Sequence, residues 1–149
     1  MNITSLLSLE IGASVSIFND PFTYLGRSDI TLDGDKKLVW FFDDSERMLS
    51  IVPDDEELVL FRLIDEEVEP DDEMVLYQNK EYEFSYEDAG AVTGVDGDAE
   101  TEEGDRYLFS DYESQDGRLI RLLSNENTGE VSAYVGQVVS EDDLSEIEI

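Results

Sequence analysis

The chain has 149 residues, of which 39 are Asp or Glu and 9 are Lys or Arg, a formal net charge of −30, and it contains neither Cys nor His. Such a charge opposes docking on a nucleic-acid backbone or an anionic membrane face, and the missing side chains remove the usual nucleophile, general base, zinc ligands and haem ligands. With 40% hydrophobic and 10% aromatic residues, however, the composition is that of a globular chain with a real core, not of a disordered acidic tail.

The opening stretch, Ile3 to Leu9, is apolar but has no Lys or Arg ahead of it, since the first basic residue is Arg27. It reads as a lead-in and not as a targeting segment. No apolar stretch reaches the length of a membrane span, so a soluble cytoplasmic protein is expected. Glu10, Asp20 and Arg27 are the only charged residues through Ser28. Almost all of the acidic excess therefore lies in the remainder of the chain.

From there the apolar residues come in short runs rich in Val, Ile, Leu and aromatics, broken by Asp, Gly, Asn and Pro every eight to twelve residues or so, the spacing of an all-β domain. Strands are predicted near Ser14 to Phe18, Phe22 to Ile30, Lys37 to Phe42, Met48 to Val52 and Leu58 to Ile64. In the second half they fall near Glu81 to Tyr86, Ala89 to Asp96, Arg106 to Tyr112, Leu119 to Leu123 and Val131 to Val139. Val52 to Glu56 and Asn125 to Glu130 carry turn chemistry: Pro53 presets one turn, and Asn127-Thr128-Gly129 supplies tolerant positions in the other. Only the ends, Thr4 to Glu10 or Glu141 to Ile147, admit a helix.

The two halves share an order of landmarks. Phe18 precedes Gly26 as Tyr86 precedes Gly94; an Asp-Gly-Asp turn follows at Asp33 to Asp35 and at Asp96 to Asp98; then come Trp40 and Tyr107, and an Arg-led apolar strand at Arg47 or Arg118. Duplication accounts for that shared order. The stretch Asp65 to Glu73 is too charged for a buried strand, and Pro70 removes a ladder donor, so it reads as a linker. The predicted organisation is a lead-in over residues 1–11, a first β repeat over 12–64, an acidic linker over 65–74, a second β repeat over 75–140 and an acidic tail over 141–149. The fold class is all-β: two repeated antiparallel meanders, SH3-like or sandwich-like, packed into one compact unit, with Trp40 and Tyr107 in equivalent core positions. Whether the halves close into one barrel or stay separate is left open.

This pattern resembles a family of mostly bacterial proteins known as domain of unknown function 4178. The resemblance rests on the paired halves, on Leu25-Gly26 followed by Leu38 to Asp43 and the strand Met48 to Val52, and on Tyr107 to Tyr112 with the closing Tyr134-Val135-Gly136. It spans roughly Gly12 to Ser140, although where the family often has Trp followed shortly by Glu this chain has Phe41-Phe42-Asp43-Asp44. The resemblance implies a β-rich duplicated module without known catalytic residues. It also implies an accessory, protein-interaction role in bacterial stress or membrane-associated gene sets.

Chemical motifs are few. Asp96-Gly97-Asp98-Ala99-Glu100-Thr101-Glu102 alternates oxygen ligands as calcium loops do, but Thr101 and Tyr107 stand where an EF-hand requires Gly and Glu; an acidic turn is the expected reading. Carboxylate pairs for acid–base hydrolysis are not singled out among so many, and no phosphate loop, nucleophile elbow or dinucleotide fingerprint occurs. No catalytic residue, cofactor or metal ligand is therefore assigned, and the chain is not expected to be an enzyme.

Arg47 and Arg118 begin equivalent strands after Asp-containing runs. Ion pairs are expected from Arg47 to Asp43 or Asp44 and from Arg118 to Asp111 or Asp116; the functional alternative is a pair of anion-binding arginines. Aromatics exceed what one face of a small sheet must bury, and one or two left exposed beside carboxylates would attract a cationic partner. The partner-binding candidates are Trp40, Asp43, Asp44, Arg47, Asp111, Tyr112 and Arg118. Three functions follow: a non-catalytic acidic adaptor for a basic protein surface or cationic peptide, which leads; a DNA mimic inhibiting a DNA-binding or defence protein, since a charge of −30 matches about 50 Å of duplex at roughly 1.7 Å per charge; and a salt-adapted structural domain. Direct nucleic-acid binding and membrane insertion are not expected.

Overall fold

The computed structural model describes residues 2–99 and 101–146. At its start Asn2 caps a short helix, α1 (Ile3–Leu7), by accepting the Ser5 N–H on Oδ1 at 2.8 Å. Strands β1 (Ser14–Ile17) and β2 (Asp20–Thr23) follow, reversed through Phe18 and Asn19 at φ 52° and 64°, the left-handed pair that suits a two-residue hairpin turn. A meander then runs through β3 (Gly26–Leu32), β4 (Lys37–Phe42), β5 (Arg47–Val52) and β6 (Glu57–Leu63). After residues 65–73, which form no strand, come β7 (Met74–Tyr77), β8 (Lys80–Gly97), β9 (Arg106–Glu113), β10 (Leu119–Asn125), β11 (Val131–Val139) and β12 (Leu144–Glu146).

Most predicted strands have their counterparts within a residue or two. Three differ. The run from Phe22 to Ile30 is divided between β2 and β3 at Tyr24-Leu25. The two predicted strands over Glu81 to Asp96 are one long strand, β8, and β7 is additional to the prediction. The N-terminal helix forms, but the C-terminal segment makes a single 3-10 turn at Glu141–Asp143 and then pairs with β1 as β12. Residue 147, the last of that predicted helix, lies outside the described residues.

The strands β3-β4-β5-β6 and β8-β9-β10-β11 form two antiparallel meanders, joined to one another by β6 with β11 and by β3 with β8. The result is one closed eight-stranded barrel, which answers the question the sequence leaves open. β8 makes closure feasible because its 18 residues serve two partners on one flank, β7 near its start and β3 near its end. Register shifts at Phe84/Tyr86 and at Asp29/Ile30 let it bend between them. The landmarks matched between the halves do not coincide strand by strand: Gly26 opens β3, whereas Gly94 lies near the end of β8.

Three apolar clusters hold this arrangement. Trp40, Phe42, Met48, Val59, Phe61, Tyr107, Phe109 and Leu123 belong to the cluster that fills the barrel, where Trp40 and Tyr107 meet edge to face at 5.6 Å. Outside, Val39, Ile51, Leu58 and Val139 stand side by side across four strands and are covered by α1 and the three-stranded sheet β12-β1-β2. The unbroken apolar run of β4 follows from this double coverage: Trp40 and Phe42 point inward, while Phe41 points outward and stacks on Tyr24 at 4.2 Å. A third cluster, with Val75, Tyr82, Tyr112 and Ile120, packs β7 and β8 over the opposite outer face. Each large side chain so buried contributes about 1.5–3 kcal/mol.

Candidate functional site

The seven candidate residues are distributed between core and surface. Trp40 and Tyr112 are buried, and Asp43 and Asp111 are buried carboxylates; only Asp44 and Arg118 are exposed. Arg47 donates from Nε to Asp43 Oδ2 at 2.7 Å, from Nη1 to Asp20 Oδ2 at 3.3 Å and from Nη2 to the Pro21 carbonyl at 2.7 Å. Its expected pair with Asp43 is thus present. The pair expected for Arg118 is not. Asp111 is taken by Arg121, and Asp116 accepts from Lys80 Nζ and Ser114 Oγ, reaching Arg118 only through its backbone N–H at 3.3 Å. Lys80, with help from Ser114, holds the Asp116 carboxyl well below the usual carboxylate range.

Arg121, which sequence reasoning passed over, is the most enclosed cation in the molecule at 4% exposure. Its guanidinium lies between the rings of Phe61 and Phe109, 4.6 and 4.7 Å from their centroids, and Nη1 donates to Ser50 Oγ at 3.0 Å. An Arg in the middle of Leu119-Ile120-Arg121-Leu122-Leu123 was the available signal, because a charge on the buried face of a strand must find a partner.

β7, the start of β8 and the end of β9 form an acidic surface with apolar side chains left in solvent. Glu83 stands directly opposite Glu113 on β9 and opposite Met74 on β7; Glu81 stands opposite Leu76. Like charges directly opposed across a sheet are destabilising, and Glu81, Glu83 and Glu113 are all exposed. Phe84, next to Glu83, is 40% exposed and touches Tyr112 edge to face at 5.8 Å; Leu76 is 65% exposed. Alternation along β8 sets Glu81 and Glu83 on one face, with Leu76 and Glu113, and turns Tyr82 and Phe84 to the other, where Tyr82 is buried in the outer cluster and Phe84 meets Tyr112. A groove of about 620 Å³ runs here, lined by Glu81, Glu83, Phe84, Ser85, Glu113 and neighbours. Its one cation, Lys80, is already engaged by Asp116.

The barrel interior contains two smaller cavities. One, about 200 Å³, lies beside Trp40, Tyr107 and Asn125, and the buried Trp40 Nε1 meets no acceptor among the described residues. The other, about 320 Å³, is bordered by Tyr86, Asp111 and Arg121. Among the described residues, no group of three or more acidic side chains is arranged to hold a metal ion. Among the described residues, no helix is long and apolar enough to cross a membrane.

A family model described as a domain of unknown function (DUF4178) matches residues 10–141, most of the chain. No curated protein and no solved structure matches it.

Proposed function

The chain belongs to the DUF4178 family, and we propose that it is a non-catalytic acidic binding module whose β7–β8–β9 groove takes a Lys- or Arg-rich segment of a protein partner. The observation that carries this reading is the Glu83–Glu113 confrontation in a groove that the half-exposed Phe84 also lines. Two carboxylates that repel each other in the free protein both gain when a cation enters between them, and an exposed ring adds cation–π and apolar contact. The field of a chain at −30 draws a basic partner in from a distance and speeds encounter. Arginine-rich segments fit best, since a guanidinium can fork onto a carboxylate while stacking on a ring.

A fluorescent Arg-rich decapeptide titrated into the full chain at low and at moderate KCl is the direct test. Binding is expected to weaken as salt rises. It is also expected to fall by roughly tenfold, about 1.4 kcal/mol, in both Glu83→Gln/Glu113→Gln and Phe84→Ala. Loss of the same size on neutralising an equal number of exposed carboxylates elsewhere, such as Glu57 and Glu130, would show a diffuse field and no site. That result would remove the proposal.

A further inference from the structure

We infer that a second site, of opposite sign, lies between the two outer layers of the barrel: a groove formed by Arg47, Arg62 and Arg118 that binds an oxyanion, phosphate or carboxylate, carried by a small molecule. The groove, of about 310 Å³, lies over β6 and β11 and is bordered by the β1–β2 hairpin, which contributes Ile17, Phe18 and Asp20. Three of the chain's 9 basic residues line it, against a single carboxylate, Asp20.

Chance pairing in so acidic a chain would leave few free cations. Arg27, Lys36, Arg47, Lys80, Arg106 and Arg121 each meet a carboxylate. Among the described residues, the side chains of Lys37, Arg62 and Arg118 meet none within 4.0 Å, and two of those three share this groove. Arg62 also stands directly opposite Arg47 across β5 and β6. That is an unfavourable juxtaposition, kept in a chain with 39 acidic residues from which a neutralising partner could be drawn.

An oxyanion lodged between the two guanidiniums removes this repulsion and accepts forked, charge-assisted hydrogen bonds. Arg47 is the fixed member, held by Asp43 and the Pro21 carbonyl with its guanidinium 5.5 Å from the Phe22 ring. Its third contact, to Asp20 at 3.3 Å, is to a side chain 67% exposed and free to swing aside. Arg62 and Arg118 are the exposed members that close on the ligand. Phe18, Leu60 and Val135 form an apolar wall on which a non-polar remainder can rest. This site is independent of the acidic groove, so either proposal can fail alone.

Amide and arginine Nε resonances of the labelled full chain, followed while inorganic phosphate, phenyl phosphate or benzoate replaces chloride at constant ionic strength, test the inference. Saturable shifts confined to Arg47, Arg62, Arg118 and Gln137 are expected. Tighter binding of phenyl phosphate than of inorganic phosphate would identify an organic phosphate as the natural class, and tighter binding of benzoate a carboxylate. Arg62→Gln/Arg118→Gln should weaken binding at least about tenfold with the rest of the spectrum unchanged. Lys37→Gln, which removes a cation elsewhere, should leave it unaltered. Shifts no different from those in chloride, or equal weakening by Lys37→Gln, overturn the site.

Discussion

Arg121 and Asp111 face each other across β9 and β10 inside the barrel, joined by Nε to Oδ1 at 2.7 Å and Nη2 to Oδ2 at 2.9 Å. A buried bidentate pair carries a large desolvation cost that its mutual attraction offsets, so removing one member leaves an uncompensated charge in the core. Arg121→Met and Asp111→Leu should each destabilise by about 3–5 kcal/mol, while the double variant should recover most of that loss. Urea unfolding of the four proteins checks this. If Arg121→Met costs no more than an exposed substitution such as Lys37→Gln, the pair is not part of what holds the barrel together.

The barrel seam between β3 and β8 depends on glycine. Gly97 sits opposite Gly26 with φ at 63°, and a Cβ placed on it would lie 2.3 Å from the Leu25 carbonyl oxygen. Left-handed backbone in a residue with a side chain costs on the order of 1–3 kcal/mol before any clash is counted. Gly97→Ala is therefore expected to lower stability by at least about 2 kcal/mol, and amide hydrogen exchange should quicken first along β3 and the end of β8. Gly34→Ala, where a Cβ meets nothing within 4 Å, is the matched control. Equal thermal midpoints for the two variants would contradict the close approach at the seam.

Much of the strand framework was legible because β4, β5, β6, β9, β10 and β11 each combine β-branched or aromatic content with a turn signal at both ends. The Arg47–Asp43 pair was legible because its partners are four residues apart. Closure was not, since the contacts that make it, Gly26 with Gly97 and Phe61 with Gly136, join residues more than 70 positions apart and leave no local pattern. β7 was missed because Met74 to Tyr77 is short, follows the acidic segment directly and turns at Gln78-Asn79, which carries no Gly or Pro. Arg118 was read as the ion-paired arginine and Arg121 ignored, although the register Arg121 opposite Asp111 shows that strand pairing, and not distance along the chain, selects the partner.

Alkaline pH should unfold the protein through its tyrosines. Burial, and then the hydrogen bond to the Asp88 carboxylate, pushes the Tyr86 phenol up to about 12, and burial likewise raises Tyr24, Tyr82, Tyr107 and Tyr112. In the unfolded chain these groups ionise near 10, so above that pH the unfolded state has released protons that the folded state still holds. The contribution of Tyr86 is complete below about pH 10 and is lost as pH rises through about 12, and the other four act in the same direction. Tyrosinate absorbance beside circular dichroism should show Tyr86→Phe removing the last-titrating component. If all 7 tyrosines ionise together near 10 while the fold persists, these rings are not protected as described.

The Glu83–Glu113 opposition makes a prediction with the reverse sign to most surface changes. Glu113→Gln keeps the shape and hydrogen-bonding reach of the side chain but ends the like-charge contact, so it should stabilise the free protein by about 0.2–1 kcal/mol at low salt. The gain should shrink as KCl approaches 1 M, where the Debye length is about 3 Å. Glu83→Gln should give a similar gain, and the double variant less than twice as much, because the first substitution already removes the repulsion. Glu57, exposed on β6 opposite Val52 and not another carboxylate, isolates the effect of overall charge: Glu57→Gln relieves the general field without touching a facing pair. Thermal midpoints for Glu113→Gln and Glu57→Gln that coincide at every salt concentration would reduce the confrontation to one more acidic surface contact. A larger, salt-sensitive gain for Glu113→Gln, together with weaker capture of an Arg-rich peptide, would identify stability given up in the free protein as the source of its affinity for a cation.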